Sequence, residues 1–311
     1  MPARRVALSA EQEEVAISLD VGATKIAGGL VDRTGQVRMR QVVPTAAERG
    51  SQAVLTDTLA MATALHAAAM RRNWRVAGLG IGICELVDPQ GNVTSGYTVA
   101  WQTLAVRDAF SHVTGPVVVE ADVRAHALAE ATFGAGRGLE SFVFVSVGSG
   151  ISSCLVQQGR PFAGARGNAL VLATMPLTIF DDEERRRDFV LEPFASGVGL
   201  VTRYRRHKAG VTRVEEIVVA AAQGDEKAAA ILHSGGVALG SALAWLVNVL
   251  DPAALIVGGG LGLADGLYWQ SAVATARSHI FAEDSRMLPM LKSTCGADAG
   301  LIGAAVRVFQ Q

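Results

Sequence analysis

Apolar and polar positions along the first third of the chain mark out a regular order of elements. Val15–Asp20 is a short apolar run that stops at a carboxylate and Gly22, which predicts a strand. Ile26–Val31 is apolar again, residues 32–36 (DRTGQ) carry turn chemistry, and Val37–Val43 resumes the run. That order predicts an antiparallel hairpin entered through a tight first turn. Residues 51–72 place Ala, Leu and Met at helical spacing and end at Arg71-Arg72. Val76–Ile83 predicts a buried strand, Pro116–Glu120 another, and a helix follows from about Val123 to Thr132.

The pattern then restarts. Ser141–Val147 predicts a strand closing on Gly148-Ser149-Gly150, Ile151–Gln157 the next, and Gln158-Gly159 a turn into Arg160–Phe162. Two halves that both open with strand, turn, strand and hairpin indicate an internal duplication, at a period too long for a solenoid. Helical segments fill most of 193–250. Ala254–Val257 predicts a strand ending in Gly258-Gly259-Gly260, and Ala299–Phe309 a final helix. Residues 1–14 are expected to form a loose polar extension. Residues 181–188 (DDEERRRD) are expected to form a solvated charge run.

Composition narrows the function classes. At 311 residues and 50% hydrophobic, the chain can build two domains with sizeable cores. A net charge of −1 lacks the basic excess of a nucleic-acid binder. Cys84, Cys154 and Cys295 are far apart and form no CxxC pair, so they are expected to be small buried hydrophobes in a reducing cytosol. The N-terminal residues include Glu11, Glu13 and Glu14 and do not fit a signal peptide. The uncharged stretch 234–250 is shorter than a membrane span and predicts a buried helix. A cytoplasmic protein without membrane or nucleic-acid partners is expected.

Three turns carry candidate chemistry. Asp20, Gly22, Ala23, Thr24 and Lys25 bring a carboxylate, backbone N–H groups, a hydroxyl and an ammonium to one turn. Such a nest suits phosphate oxygens, with Asp20 able to hold hydrated Mg²⁺. It also suits an ordinary hairpin. Gly148, Ser149 and Gly150 repeat the theme in the second half, and Gly258, Gly259 and Gly260 add a third bare stretch of backbone after a strand. Asp122 follows a strand and precedes a helix, a position that suits both a general base and a helix cap.

The collinear order of these segments resembles the ROK family of sugar kinases and repressors. The matching segments are DVGATK at 20–25, GLGIGICELVDPQGNV at 78–93, VVVEADVRAHALAEATFGAGRG at 117–138, GSGIS at 148–152, FASGVGL at 194–200, NVLDPAALIVGGGL at 248–261 and ADAGLIGAA at 297–305. The resemblance implies an α/β fold of two actin-like (ribonuclease H-like) domains, each with a mixed sheet, and an interdomain cleft. It implies an N-terminal domain of 15–121 completed by a C-terminal helix at about 299–311, and a C-terminal domain of 122–298. ATP and Mg²⁺ are the implied cofactors, with ATP on the three glycine turns. Asp122 is the implied base for a sugar hydroxyl, commonly the 6-hydroxyl, and a homodimer is the implied assembly.

Departures from the family pattern cluster on the sugar side. Ala121 stands where the family has Asn, Leu170–Thr174 replaces its Gly-Glu-x-Gly-His segment, and 181–191 lacks its zinc-binding cysteines, so no zinc site is expected. Glu192 matches a Glu that often contacts the sugar, and Tyr97 stands near the position of the sugar-loop Asn. Glu85 is an added carboxylate that suits either a solvated loop residue or a substrate contact that pairs with an ammonium group, and the second reading favours an amino sugar such as glucosamine or kanosamine, or an aminocyclitol. Two other readings remain: a catalytically weak sugar or nucleotide sensor, without room in 1–14 for a DNA-binding module, and an actin-like kinase for a non-sugar acceptor.

Overall fold

The computed structural model describes residues 12–180 and 186–311. The expected extension 1–14 therefore falls mostly outside the described residues. The chain divides into two compact units, one running to Asp122 and completed by Gly300–Gln311, the other Val123–Ala299.

In the first unit, β1 (Glu14–Val21), β2 (Lys25–Asp32) and β3 (Val37–Pro44) form an antiparallel meander. Next come α1 (Ser51–Arg71), β4 (Arg75–Ile83), α2 (Val106–Ser111) and β5 (Val117–Ala121). The sheet order is β3-β2-β1-β4-β5, with β1, β4 and β5 parallel. Strands β1, β2 and β4 are buried on both faces, which explains their continuous apolar runs. Alternate positions of β3 are exposed, as an edge strand with one wet face requires.

The second unit opens with α3 (Asp122–Thr132, its first residue belonging to the first unit), then β6 (Ser141–Val147), β7 (Ile151–Gln157) and β8 (Arg160–Pro161). A hairpin of β9 (Pro176–Phe180) and β10 (Arg186–Val190) leads into α4 (Leu191–Ala195), α5 (Gly197–Tyr204), α6 (Val214–Ala222) and α7 (Glu226–Leu250). β11 (Leu255–Gly258), α8 (Gly260–Leu263), α9 (Leu267–His279), α10 (Glu283–Arg286) and β12 (Met290–Lys292) follow. The main sheet is ordered β12-β11-β6-β7-β8, the same topology as in the first unit, so the duplication seen in the sequence is structural. Part of the expected charge run differs from expectation. Residues 186–188 are strand, paired with Phe180, Ile179 and Thr178, while 181–185 lie outside the described residues.

The last helix, α11 (Ala299–Phe309), returns to the first sheet. Leu301, Ala305 and Val308 pack against Ala16, Ala27 and Val31. The helix lies so close to β4 that a Cβ on Gly80 would stand 2.3 Å from the Ala304 carbonyl oxygen. Helices α1 and α7 are long and apolar enough to cross a membrane by length and composition. Both instead contribute to their units' cores, α1 through Val54, Leu55, Met61 and Leu65, α7 through Leu232, Leu239, Leu243 and Leu246.

Candidate active site

In the first unit, three parallel strands deliver chemistry at their carboxyl ends. Asp20 lies on β1 opposite Gly82 of β4, Cys84 follows β4, and Asp122 follows β5. The Cys84 N–H donates to the Val21 carbonyl at 3.0 Å, which fixes the exit of β4 beside β1. Burial raises the Cys84 thiol well above its ordinary range, and the negative charges of Asp122, Glu85 and Asp20 raise it further. The thiol is therefore neutral and surrounded by carboxylates, and it is half-buried rather than fully buried. Cys295 is likewise half-buried, and only Cys154 matches the expected buried thiol.

The turn between β1 and β2 exposes Ala23, Thr24 and Lys25. The Gly22 N–H donates to the Lys25 carbonyl at 3.0 Å. Thr45, fully buried, pins this turn from below: its hydroxyl donates to the Gly22 carbonyl at 2.6 Å and its N–H to the Thr24 carbonyl at 3.1 Å. Asp20 meets the start of α11. A Cβ added to Gly300 would stand 2.4 Å from both Cγ and Oδ2 of Asp20.

Glu85 does something other than expected. It is 5% exposed, and its carboxylate gathers the loop that follows. Oε2 accepts the Ser95 hydroxyl and the Tyr97 N–H at 2.9 Å; Oε1 accepts Thr98 at 2.7 Å and Val99 at 2.8 Å, with Ala100 at 3.4 Å. Burial works to raise its pKa, but the bonds from Ser95, Thr98, Tyr97 and Val99 outweigh it and hold the group below the usual carboxylate range. A carboxylate has about four lone-pair sites. All are taken, so Glu85 orders the loop and has no acceptor left for a substrate ammonium. Tyr97 itself is 87% exposed. The loop ends on Trp101, fully buried, whose indole N–H donates to the Ser51 carbonyl at 3.1 Å.

In the second unit, the structure brings the two remaining glycine turns together. A Cβ on Gly148 would lie 3.8 Å from the Gly260 N. Gly259 has φ +79°, and a Cβ there would stand 2.4 Å from the Val147 carbonyl oxygen, so both conformation and space require glycine. The first turn of α5 closes on the same place, with the Gly197 N–H donating to the Gly148 carbonyl at 2.8 Å. Ser196 caps α5 by accepting from the Gly199 N–H at 3.1 Å. Glu192 joins this cluster: its Oε2 accepts the Ile151 N–H at 2.7 Å, and a Cβ on Gly150 would stand 2.6 Å from that oxygen. Its second oxygen accepts no hydrogen bond among the described residues.

Farther along this unit, Glu130 is fully buried. It accepts the Ser293 hydroxyl at 2.6 Å and the Ala135 and Cys295 N–H groups at 2.8 Å each. It ties the end of α3 to the segment after β12. Thr45, Ser196 and Gly300 were not singled out in the sequence. Ser196 carried a readable signal, a Ser before a helical run. Thr45 and Gly300 act through partners distant in sequence.

The sequence profile of the ROK family matches residues 16–311. The chain is 31% identical to the bifunctional enzyme NanE/NanK of Brucella melitensis, over 96% of the chain and 54% of that protein, so it spans about half the length of that relative. It is 27% identical to N-acetylmannosamine kinase of Escherichia coli O1:K1, over 93% of the chain and 97% of the kinase. Among solved structures, it superposes on the ROK hexokinase of Thermus thermophilus with TM-score 0.78 and 28% identity, covering 95% of this chain and 98% of that one. It superposes on a ROK family glucokinase of Streptomyces griseus, crystallised with glucose and AMPPNP, with TM-score 0.80 and 25% identity, covering 96% and 100%.

Proposed function

The chain belongs to the ROK family, and from that premise we propose that it transfers the γ-phosphoryl group of ATP to a sugar hydroxyl, with Asp122 as the general base. The observation that carries this reading is the placement of two carboxylates, Asp20 and Asp122, at the carboxyl ends of β1 and β5 in one sheet, with β4 between them. Two strand spacings separate them by about 10 Å. That leaves room for an acceptor hydroxyl at Asp122 and a phosphate with its cation at Asp20. The relatives named for sugar phosphorylation support the reaction class.

In this reading Asp122 accepts the proton of the attacking hydroxyl as its oxygen approaches the γ-phosphorus. The Gly22 and Gly148 N–H groups close their own turns on the Lys25 and Gly150 carbonyls, which leaves the N–H groups of Ala23 and Thr24 in one turn and of Ser149 and Gly150 in the other, with the Lys25 ammonium, to hold phosphate oxygens and stabilise charge that grows there. Gly260, where a Cβ would meet open space, takes the nucleoside, while the Cβ positions of Gly258 and Gly259 are filled by Phe144 and Val147 and shape the turn. Mg²⁺ fits the donor set, because it keeps most of its waters and takes one or two carboxylates beside phosphates; Asp20 would hold it, mainly through water, and it would neutralise phosphate charge. Glu192, with one oxygen anchored and one open, holds a sugar hydroxyl. The amino-sugar form of the reading rested on Glu85 and loses that support, so a neutral hexose or hexose derivative, phosphorylated at its 6-hydroxyl, is the acceptor class. A cytoplasmic homodimer belongs to the same reading.

The test is ADP release from Mg-ATP against neutral hexoses, N-acyl hexosamines, amino hexoses and aminocyclitols. Sugar-dependent ADP is the expected result. ATP binding without turnover on any acceptor would replace the kinase with a sensor. Turnover on amino sugars alone would restore an ammonium partner.

A further inference from the structure

Ile83, the last residue of β4, lies opposite Val21 of β1 and Ala121 of β5. One row farther on, Cys84 therefore stands between the Gly22 turn and Asp122. After burial, the charge of Asp122 acts most strongly on the Cys84 thiol, ahead of those of Glu85 and Asp20. The same sulfur has a second polar neighbour, the Thr98 hydroxyl, which donates a hydrogen bond to it. We infer that Thr98 is a specificity-determining residue of the acceptor site, whose hydroxyl binds the sugar hydroxyl nearest the one that Asp122 deprotonates. Cys84 is the residue that positions it. This rests on the kinase reading and names the feature selected: an acceptor with a free hydroxyl beside the reacting one. For a 6-hydroxyl acceptor, that neighbour is the 4-hydroxyl.

The loop holds Thr98 in place without using its side chain. The Thr98 N–H donates to Glu85 Oε1 at 2.7 Å, between the N–H groups of Tyr97 at 2.9 Å and Val99 at 2.8 Å on the same carboxylate. The hydroxyl is therefore placed before a sugar arrives, which lowers the cost of ordering on binding. It gives its one proton to sulfur, a weak acceptor, and keeps its lone pairs for a sugar O–H. One strand spacing of about 5 Å separates Cys84 from Asp122, and one hydrogen bond separates the sulfur from Thr98. A pyranose ring spans that gap. Thr98 is half-buried, whereas Tyr97 beside it is 87% exposed, so Thr98 is the one of the two turned toward Cys84 and Asp122. A half-buried hydroxyl reads a sugar hydroxyl more sharply than a fully wet one, because water replaces a missing partner less well.

The experiment measures kcat/KM for glucose, mannose and N-acetylmannosamine, each beside analogues that lack one ring hydroxyl. The proteins are the wild type, Thr98→Val, Thr98→Ser and Cys84→Ala, with titration calorimetry of the same sugars without ATP in parallel. Thr98→Val keeps the side-chain shape and the backbone bond to Glu85 and removes only the hydroxyl. It should lower kcat/KM for the best parent sugar about 5–150-fold. The wild type should lose a similar factor on the 4-deoxy sugar, and Thr98→Val should lose nothing further there. Thr98→Ser should recover most of the rate. Cys84→Ala should cost about 2–10-fold, again only where the 4-hydroxyl is present. Equal losses in Thr98→Val on the parent and on every deoxy sugar mean that the hydroxyl only holds the loop; they overturn the inference and leave the kinase reading standing. Unchanged kcat/KM in Thr98→Val, or a loss that vanishes at a different ring position, overturns it too. No turnover on any sugar overturns the kinase reading. Calorimetry then applies the same comparison to affinity and decides the role of Thr98, and no affinity for any of the sugars overturns both.

Discussion

Gly300→Ala isolates the part Asp20 plays. The new Cβ would stand 2.4 Å from Asp20 Cγ and Oδ2, and ordinary contact begins near 3.4 Å. Either the carboxylate or the first turn of α11 must give by about 1 Å. Two stability effects oppose each other. Alanine favours the helix by about 1 kcal/mol over glycine, and overpacking costs about 1–3 kcal/mol. The net loss is at most about 2 kcal/mol, so the variant should fold. Catalysis has no such compensation, because a displacement of about 1 Å in a positioned group lowers the rate by about 10²-fold. The assay is steady-state ADP release over a series of Mg²⁺ concentrations, with urea unfolding on the same samples. We expect kcat to fall by about two orders of magnitude and the Mg²⁺ needed for half-maximal rate to rise. A folded variant with unchanged kcat and unchanged Mg²⁺ response would refute the assignment of Asp20 to the cation.

Further outcomes follow from the same geometry. Glu85→Gln removes the charge that gathers Ser95 and residues 97–100. Limited proteolysis should then cut within 94–100 at least tenfold faster, with the sugar KM rising more than the ATP KM. Glu85 and Glu130 are both held below their ordinary range against the opposing effect of burial, by hydrogen bonds from Ser95 and the 97–99 backbone in one case and from Ser293, Cys295, Ala135 and Thr294 in the other. The stability they add is full above the unfolded carboxylate pKa of about 4.3 and is lost as pH falls through their lower folded values. Urea midpoints should therefore drop below pH 4.5, and Glu130→Gln should be less stable at pH 7 but show a shallower acid slope. Gly259→Ala meets both a positive φ and the Val147 carbonyl. It should cost about 1–3 kcal/mol in urea unfolding and raise the ATP KM.

The long strands and helices were legible in the sequence because burial wrote them as apolar runs. The predicted run at 15–20 became β1, longer by one residue at each end, and the predicted helix 299–309 became α11 without change of ends. Elements held by pairing rather than by their own pattern were not legible. β10 reads Arg-Arg-Asp-Phe-Val and is a strand because Phe189 pairs with Leu177 and Val190 with Pro176. α2 and β12, of six and three residues, are too short to show a period. The glycine turns were visible one by one; that Gly148 and Gly260 meet was not, because the contact closes over more than a hundred residues. Glu85 was visible as an odd carboxylate, but its meaning depended on donors ten to fifteen residues away that only the folded loop brings to it. Gly300 against Asp20 joins the two ends of the chain and leaves no local trace at either.

Asp122→Asn asks whether Asp122 is the general base, with sugar phosphate and ADP followed together by phosphorus NMR. The amide keeps the shape and can still donate or accept at the start of α3, but it cannot take a proton. With Asp122 as the base, kcat falls by about 10²–10⁴ with the ATP KM little changed. A variant that forms sugar phosphate within threefold of the wild-type rate would contradict it.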